Sequence, residues 1–432
     1  MRNCRIADLL NRIFAVIELE IYCLENHNYF NTINPMYDFL IIGGGVFGIT
    51  AAVELAKRKY KVGLLNPDSI PHHLAASTDI TKAVRMEYGS DKEYFKMAEI
   101  CIERWHEWND FFNEKLYHEV GFLMLCRGNM ESDQHSYEKH SFQNLKDAGY
   151  PLDRLNSQSI KERFPAVNSD VYVDGNVNPR GGYTRSGRTI EVLADYARSL
   201  GVEIHEGQTA HGFVIDKGRL QAVKTKEGNT FKCGHAIVAA GAATPFLLPE
   251  LQPYMKSTGH PVFWLKPDNP KFFRAPQLPV FTADISNTGW YGFPFVDKLG
   301  VVKIAKHTNG ISIHPDKDDR QIIDEEVADM RAFVKASFPS LENAPLVYTR
   351  RCLYTDTLDG HFWIDHHPEI KGLSVSSGGS GHGMKMAPIL GEMTADVVED
   401  KVHQFSHRYK WRHLTTETDQ VEEARFVVGR KI

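Results

Sequence analysis

The chain has 432 residues, of which 42% are hydrophobic and 24% are charged, and its formal net charge is -5. This length exceeds the usual size of a single hydrophobic core, so we expect two domains. The charge balance, without a basic stripe of interleaved aromatic residues, predicts no nucleic-acid partner. The six cysteines have neither CxxC spacing nor the density of a disulfide-stabilised protein, which favours a reducing compartment, and we predict a cytoplasmic protein.

Residues 1–35 do not match the pattern of the rest of the chain. Their longest apolar run, Ile13 to Ile17, is short and is followed by Glu18 and Glu20, unlike a membrane span or the core of a signal peptide. We therefore predict no membrane partner and expect residues 1–35 to be an extension outside the fold. Met36 directly precedes the first strand and is the start that we expect for the natural protein.

Residues 37–58 contain a strand, a glycine-rich turn and a helix in that order. The apolar run Phe39 to Ile42 predicts the strand, and the helical spacing of Ile49, Val53 and Ala56 predicts the helix. A GxGxxG turn in this context is typical of dinucleotide-binding folds, because glycines allow the tight turn, the approach of the pyrophosphate and close helix packing. A glycine-rich turn after any buried strand is the alternative. The predicted cofactor contacts here are Gly43, Gly45, Val46, Phe47 and Gly48.

The second predicted strand, residues 61–65, ends at Asn66. Dinucleotide-binding folds usually have an acidic residue here, which accepts hydrogen bonds from the ribose hydroxyls. An asparagine lacks the bidentate acceptance of a carboxylate, so we predict a weaker cofactor contact at Asn66, with Asp68 as a second candidate.

We predict a helix over residues 94–112. Residues 189–241 then have a second pattern that is typical of nucleotide-binding folds. A helix and a strand are followed there by two hairpin turns and by a strand that ends at Gly241. A parallel sheet interrupted by a small antiparallel meander is typical of two-dinucleotide-fold flavoproteins, so the pattern favours FAD over NAD. We add Ala210 and Gly241 to the candidate cofactor contacts.

We predict an α/β fold with an FAD-binding, two-dinucleotide-fold (glutathione-reductase-like) domain built on a parallel sheet. Residues 250–345 are rich in proline, aromatic residues and alternating segments, which predicts an α+β substrate domain with a mostly antiparallel sheet. The predicted boundaries are 36–115, 172–246 and 357–410 for the FAD-binding domain, 116–171 and 247–356 for the substrate domain, and 411–432 for a C-terminal tail.

Three further motifs follow in order: STDITKAVRMEYG at 77–89, RCLYTDTLD at 351–359 and SGGSGHGMK at 377–385. With these motifs the chain resembles the monomeric sarcosine oxidase family, which includes N-methyltryptophan, pipecolate and fructosyl-amino-acid oxidases. The resemblance extends from Met36 to Asp400. It implies an FAD-dependent oxidase that acts on a C–N bond.

The resemblance implies that the flavin is joined covalently to a cysteine sulfur, and Cys352 occupies that place in the Cys-x-Tyr-Thr pattern. Without the resemblance, a free cysteine is more often a small buried hydrophobic residue. The resemblance also implies that Gly381 and the helix that follows it face the flavin, where a helix N-terminus stabilises negative charge. We expect Lys385 in the first turn of that helix.

In the family, residues that match Arg85 and Lys385 hold the substrate carboxylate, and a planar guanidinium suits that group. The alternatives are a surface ion pair of Arg85 with Glu87 or Asp91, and a solvated surface position for Lys385. Lys82 departs from the arginine of the sarcosine-oxidising members and matches the lysine of the fructosyl-amino-acid oxidases. This departure leaves the amine substrate open.

Lys303 matches the lysine with which the family activates oxygen on the flavin face opposite the substrate. A fixed ammonium there stabilises the negative charge that oxygen acquires on reduction. The alternative is an outward residue of a strand. His307 and His382 match histidines near the flavin and the substrate. Three tyrosines match aromatic pocket residues, with a core role as an equal alternative: Tyr88, Tyr291 and Tyr354.

We predict no metal, because the neighbouring His361, His366 and His367 cannot easily share one tetrahedral site and no second ligand group has suitable spacing.

The predicted function is an FAD-dependent oxidase of a secondary amine or N-substituted amino acid, of the sarcosine, pipecolate, saccharopine or fructosyl-amino-acid type, with O2 reduced to H2O2. The expected partners are an amino-acid substrate and O2, and a monomer is favoured. Two alternatives stay open: a dehydrogenase with a non-oxygen acceptor, and a non-catalytic flavin-binding subunit.

Overall fold

A computed structural model of the chain describes residues 36–415 and 423–425. The extension predicted at 1–35 and most of the tail predicted at 411–432 lie outside these residues. None of the helices within the described ranges is long and apolar enough to cross a membrane.

The strands are β1 (Tyr37–Ile42), β2 (Val62–Asn66), β3 (Lys82–Val84), β4 (Tyr117–Glu119), β5 (Phe122–Cys126), β6 (Asp153–Asn156), β7 (Asp174–Asn178), β8 (Gly182–Thr184), β9 (Glu203–Glu206), β10 (Ala210–Asp216), β11 (Arg219–Thr225), β12 (Thr230–Val238), β13 (Met255–Leu265), β14 (Val280–Ala283), β15 (Trp290–Gly292), β16 (Val302–Lys306), β17 (Ile311–Ser312), β18 (Leu346–Thr357), β19 (Trp363–His366) and β20 (Leu373–Ser377). The α-helices are α1 (Val46–Lys57), α2 (Lys92–Phe111), α3 (Ser136–Asp147), α4 (Ser157–Arg163), α5 (Ser186–Ser199), α6 (Thr244–Leu247), α7 (Ile285–Thr288), α8 (Asp324–Ser337) and α9 (Ala387–Val398).

The first sheet has the strand of the glycine-rich turn at its centre. β12, β1, β2 and β9 are parallel neighbours, β20 pairs in parallel with β12, and β19 is antiparallel to β20. β10 and β11 form an antiparallel meander with the first half of β12. Five of the six residues of β1 are buried, as expected for a central parallel strand that is covered on both faces. The predicted parallel sheet with an inserted meander is confirmed.

Helices cover this sheet and form its core with apolar residues at helical spacing. α1 packs against α9 and α5. Ile49 and Leu55 of α1, Leu193 of α5 and Leu390 of α9 belong to one buried cluster. This packing fixes the start of α1 against the end of β1, where the cofactor was predicted to bind.

The second sheet is large and mostly antiparallel, in the order β17-β13-β16-β15-β14-β5-β7-β6, and β18 pairs along the whole of β13. β14 and β5 form its parallel pair. α8 contributes Met330, Phe333 and Val334 to the core beside this sheet. A small third sheet has the order β3-β8-β4. β7 pairs in the second sheet although it falls within the segment 172–246, and the division into domains stays a prediction.

The predicted helix start near Lys385 is the main local difference from the sequence expectation. α9 begins at Ala387, and Lys385 lies in a preceding 3-10 turn, Gly383–Met386. Pro388 occupies the first turn of α9, where the missing proline N–H leaves no hydrogen bond unmade. The expected place of Lys385 in the first α-helical turn is therefore wrong by less than one turn.

Candidate active site

A cavity of about 480 Å³ opens at the carboxyl ends of β1, β2 and β12. Ligands of open parallel sheets bind at this edge. Eight predicted cofactor contacts line this cavity: Gly43, Gly45, Val46, Phe47, Asn66, Ala210, Gly241 and Gly381. Gly48, Cys352 and Lys385 are not among its lining residues. We call it the cofactor cavity.

The glycine turn has the geometry that its sequence predicts. Gly43 has a φ of 107°, and a Cβ atom there would lie 2.5 Å from the carbonyl oxygen of Ala239. A Cβ at Gly48 would lie 1.9 Å from the Gly43 carbonyl oxygen, so Gly48 serves close packing rather than the cavity wall. α1 begins at Val46, whose amide donates to Ser77 Oγ at 2.9 Å. The N-terminus of a helix on the cavity wall suits a phosphate group.

Asn66 lines the cavity and also supports the glycine turn through both polar atoms of its side chain. Its Oδ1 accepts from the Gly44 amide at 2.9 Å, and its Nδ2 donates to the Asp68 carbonyl at 2.7 Å. Asp68 is about half exposed, and its carboxylate accepts from the Ser69 amide. It is not among the residues that line the cavity. The asparagine that replaces the usual acid therefore braces the glycine turn.

A second cavity of about 60 Å³ adjoins the first and shares Lys82, Tyr354, Gly381 and Met384 with it. We call it the cationic pocket. Five of the six predicted catalytic residues line it: Lys82, Arg85, His307, His382 and Lys385. Its lining, within the described part of the chain, contains no carboxylate.

Arg85 and Lys385 both lie over the ring of Tyr88. The distance to the ring centroid is 5.1 Å from Arg85 Cζ and 4.9 Å from Lys385 Nζ. Both side chains are buried, so Lys385 is not a solvated surface residue and Arg85 forms no ion pair at the surface, although the buried Glu87 interacts electrostatically with Arg85. The carboxylate of Asp91 instead pairs with Arg408, at 2.5 Å. Two cations beside one ring in the lining of this pocket suit an anionic ligand.

Histidines and tyrosines form the remaining walls of the cationic pocket. Nδ1 of His382 lies 3.1 Å from the Tyr88 hydroxyl, and its Nε2 lies 3.0 Å from the Gly360 carbonyl oxygen. A carbonyl can only accept, so Nε2 carries the proton and Nδ1 accepts from Tyr88. The hydroxyls of Tyr291 and Tyr354 are 3.4 Å apart. All three predicted tyrosines thus belong to the pocket or its hydrogen bonds, and His307 lies on the same wall.

Lys303 lies behind the pocket in a buried ion pair. Its Nζ is 2.6 Å from Asp79 Oδ2 and 2.5 Å from the Thr81 carbonyl oxygen. Burial lowers the pKa of Lys303 to about 8, against the opposing charge of Asp79. Lys303 is therefore not an outward strand residue, although it lines neither cavity. Sequence reasoning missed Asp79 as a site residue, although it lies within the motif at 77–89.

Cys352 is buried on β18, and its Sγ lies 3.5 Å from Lys82 Nζ. Lys82 lines both cavities, so the sulfur lies close to the place where they meet. The next residues of β18, Leu353 to Thr355, line the cofactor cavity. Cys352 is a free thiol, as are Cys101, Cys126 and Cys233.

A buried polar cluster behind Tyr354 was not foreseen from the sequence. The ring of His260 stacks on Tyr354 with centroids 3.9 Å apart. Asp356 lies 3.6 Å from His260 Nε2 and 2.9 Å from Arg425 of the C-terminal tail. Thr258 also donates to Asp356. No sequence signal joins these residues, because they come from two strands and a tail segment distant in the chain.

The three histidines weighed as metal ligands have separate partners. His361 Nε2 lies near the Arg408 guanidinium, and His366 Nε2 lies near the Val397 carbonyl oxygen. His367 Nε2 lies 2.7 Å from Glu250. Each ring therefore serves a different local contact.

Comparisons with known proteins agree with this geometry. The family described as "DAO: FAD dependent oxidoreductase" matches residues 38–397. Monomeric sarcosine oxidase of Bacillus sp. (strain B-0618) is 27% identical over 369 residues, which cover 84% of this chain and 92% of the relative. L-saccharopine oxidase of Schizosaccharomyces pombe is 25% identical and covers 91% of this chain and 96% of the relative.

Among solved structures, fructosyl amine:oxygen oxidoreductase (Amadoriase I) from Aspergillus fumigatus superposes with a TM-score of 0.76. The identity is 22%, with 91% of this chain and 94% of that chain covered, so this likeness shows the fold. The predicted fold class is confirmed. The family match spans most of the chain, from β1 to α9, and the chain belongs to the DAO family of FAD dependent oxidoreductases.

Proposed function

We propose that this protein is an FAD-dependent oxidase of a secondary amine or N-substituted amino acid, which passes the electrons to O2 and forms H2O2. The observation that carries the proposal is the pair of buried cations, Arg85 and Lys385, beside Tyr88 in a pocket that adjoins the cofactor cavity. A substrate carboxylate would accept hydrogen bonds from both cations, which would fix the position of the neighbouring C–N bond. The relatives named as sarcosine, saccharopine and N-methyl-L-tryptophan oxidases support this substrate class.

The residues of the cofactor cavity fit FAD. The bare backbone at Gly45 and the N-terminus of α1 would hold the pyrophosphate, and the segment around Gly381 would hold the flavin. When bound, FAD supplies the two-electron acceptor for oxidation of the C–N bond. We propose that Cys352 is its covalent attachment point, supported by the short distance between its Sγ and Lys82.

The protein's own residues then have separate tasks in this proposal. Arg85 and Lys385 bind the carboxylate, and Tyr88 keeps the two cations in place. Tyr291 and Tyr354 close the wall and exclude water. Lys303, held by Asp79, supplies a fixed positive charge that favours the reduction of oxygen. His382 donates its Nε2 proton to a backbone carbonyl, so it orients Tyr88 rather than abstracting a proton from the substrate.

An anaerobic substrate panel tests the proposed function. The purified protein is mixed with sarcosine, N-methyl amino acids, pipecolate, proline, saccharopine and fructosyl amino acids, and bleaching of the visible flavin band is recorded. We expect at least one carboxylate-bearing amine to bleach the flavin and its amide analogue to fail. Peroxide formed on admitting air identifies an oxidase, whereas bleaching without peroxide identifies a dehydrogenase with another acceptor. No bleaching by any compound would support the non-catalytic alternative.

Covalent attachment has its own test. Acid precipitation of the wild-type protein should give a yellow pellet, and the Cys352→Ser protein should release its flavin into the supernatant. Cys233→Ser is the matched control, because Cys233 is an equally buried free thiol in the first sheet. A colourless wild-type pellet would contradict covalent attachment. It would not contradict the proposed oxidase activity.

We also propose a monomeric enzyme in a reducing compartment, the cytoplasm. The four cysteines within the described residues are buried free thiols, which supports the compartment. The name of the relatives, monomeric sarcosine oxidase, supports the oligomeric state.

A further inference from the structure

The cofactor cavity is covered on one side by a loop from the second sheet, residues 313–320, which follows β17. The loop contacts β13 at Ser257 and two residues that line the cavity, Phe246 and Lys226. The Ile313 amide donates to the Ser257 carbonyl, the His314 ring packs on Phe246 with centroids 4.2 Å apart, and Asp316 pairs with Lys226 at 3.3 Å. The loop therefore has a defined position over the cavity.

Arg320 ends this loop and lines the cofactor cavity. Its guanidinium donates to the Leu74 carbonyl oxygen at 2.9 Å and to the Pro315 carbonyl oxygen at 2.9 Å. Leu74 belongs to the loop that carries Ser77, the residue bonded to the first amide of α1. Arg320 thus connects the covering loop to the segment beside the glycine turn.

The charges on the cavity wall do not balance among the protein's own residues. The charged lining residues are Lys82, Lys226, Asp316, Lys317 and Arg320. Lys226 pairs with Asp316, and Lys82 pairs with Asp79. Lys317 and Arg320 remain, and no carboxylate of the described residues forms a salt bridge with Arg320.

A guanidinium has five N–H donors, and two backbone carbonyls use only part of them. Burial, and then the charge of the neighbouring Arg350, lower the pKa of Arg320 against the smaller opposing effects of Cys352 and Asp316, so a bound anion would stabilise the guanidinium. Asn66 braces the glycine turn where an acid would usually hold the ribose. These observations leave two cations for a ligand with two negative charges.

We propose that Arg320, assisted by Lys317, binds the pyrophosphate of FAD from the substrate-domain side of the cavity. The covering loop then acts as a cationic clamp on the same cavity that the N-terminus of α1 lines. An arginine suits this role because its planar donors match the phosphate oxygens. This inference rests on the use of FAD in the proposed function.

The test measures ligands that separate the pyrophosphate from the rest of the cofactor. The full-length Cys352→Ser protein, freed of flavin, is titrated calorimetrically with ADP and with adenosine. Arg320→Gln should raise the Kd for ADP at least tenfold and the Kd for adenosine less than twofold, because only ADP carries the charge. Arg320→Lys should keep part of the ADP affinity that Arg320→Gln loses. The salt dependence of ADP binding should weaken in Arg320→Gln.

Arg274→Gln is the matched control, since Arg274 forms an exposed ion pair with Asp297 and does not line the cavity. This change should leave the Kd for ADP and the Kd for adenosine unchanged. If Arg320→Gln does not fold, Lys317→Gln at an exposed position should still raise the Kd for ADP about threefold, roughly the effect of one screened charge.

Two results would overturn the clamp: an unchanged Kd for ADP in both variants, or an equal loss of ADP and adenosine affinity, which indicates damage to the loop. A parent protein that binds neither FAD nor ADP would overturn the proposed function together with the clamp. A parent that binds FAD and oxidises an amine, with Arg320→Gln binding ADP as the parent does, would overturn the clamp alone.

Discussion

The ammonium of Lys303 and the carboxylate of Asp79 form an ion pair of 2.6 Å in which neither side chain is more than 1% exposed. Lys82 lies 3.7 Å from the same carboxylate oxygen, so one negative charge serves two lysines. The three groups together carry a net positive charge behind the cationic pocket, which Lys82 lines. An excess cation with little access to water is well placed to stabilise a developing anion.

We expect Lys303→Met to slow flavin reoxidation by O2 on the order of 100-fold, the effect of removing one electrostatic stabiliser. Anaerobic reduction by substrate should change less than threefold, because Lys303 does not line the cationic pocket. Stopped-flow absorbance measures the two half-reactions separately. Lys306→Met on the same strand is the control, since Lys306 pairs with Asp329 instead. Equal loss in both half-reactions would contradict the assigned role.

The reoxidation rate should also depend on pH through Lys303. Burial lowers its pKa to about 8, so the ammonium is present below pH 8 and is lost above it. The rate should therefore fall as pH rises from 7 to 9, and Lys303→Met should lack this fall. A wild-type profile that is flat over this range would contradict the assignment.

Arg85→Ala and Lys385→Met test the carboxylate site. A charged hydrogen bond contributes roughly 1.5–3 kcal/mol, so each change should lower kcat/KM by roughly 10- to 100-fold, mainly through KM. Steady-state kinetics with the best amine of the panel measures this loss. An amide analogue that binds weakly to the wild type should bind equally weakly to both variants. Arg104→Ala is the control, because Arg104 pairs with Glu392 at the surface.

Local sequence patterns predicted the cofactor half of this molecule well. Gly43 and Gly48 have fixed steric roles, and their spacing identifies the turn without tertiary information. The start of α9 was misplaced because the glycine-rich run at 378–383 looks like a helix start. Pro388, which favours the first helical turn, is the signal that could have corrected it.

The buried polar pairs could not be predicted in the same way. Lys303 and Asp79 are 224 residues apart, and Asp356 and Arg425 are 69 apart. Neither hydrophobic periodicity nor turn chemistry encodes which lysine meets which carboxylate across two sheets. The family resemblance identified Lys303 as a candidate catalytic residue, but its partner Asp79 could be identified only from the fold.

Glu138 provides a test of stability against pH. It is fully buried, accepts from Ser286 Oγ at 2.9 Å, and lies near Asp284. Burial, and then the charge of Asp284, raises its pKa to about 7. The pKa of this carboxyl group is higher in the folded state than its ordinary value of 4.5, so the folded protein holds the proton more tightly than the unfolded chain does. The resulting stabilisation is complete below pH 4.5 and is lost as pH rises to 7.

Glu138→Gln should therefore be about as stable as the wild type at pH 5 and more stable at pH 8. Between pH 5 and pH 8, the free energy of unfolding of Glu138→Gln should rise relative to the wild type by on the order of 2–3 kcal/mol, because one pKa unit corresponds to about 1.4 kcal/mol. Thermal midpoints at the two pH values measure it. Glu107→Gln, at an exposed helix position, should give no pH-dependent difference. A lower midpoint for Glu138→Gln at pH 8 would show that the carboxylate is needed in its charged form.

The contact between Arg425 and Asp356 makes the C-terminal segment part of the folded enzyme. Ala424 is fully buried beside Phe122 and Ile285, which line the cationic pocket, and Arg425 Nη2 lies 2.9 Å from Asp356. Burial alone would raise the pKa of Asp356, but the guanidinium outweighs it and holds that pKa well below its usual range. The stabilisation is therefore present at neutral pH and is lost as pH falls.

Arg425→Met should lower the thermal midpoint at pH 7 by several degrees, because breaking a buried pair costs roughly 3–5 kcal/mol. The difference from the wild type should shrink as pH falls below 3.8, the ordinary pKa of an aspartate. Asp356→Asn in the Arg425→Met background should recover part of the loss, since no buried charge then lacks its partner. Arg274→Met, which breaks an exposed pair, should change the midpoint by at most about one degree. An equal, small effect of both arginine changes would mean that the tail contact does not stabilise the pocket wall.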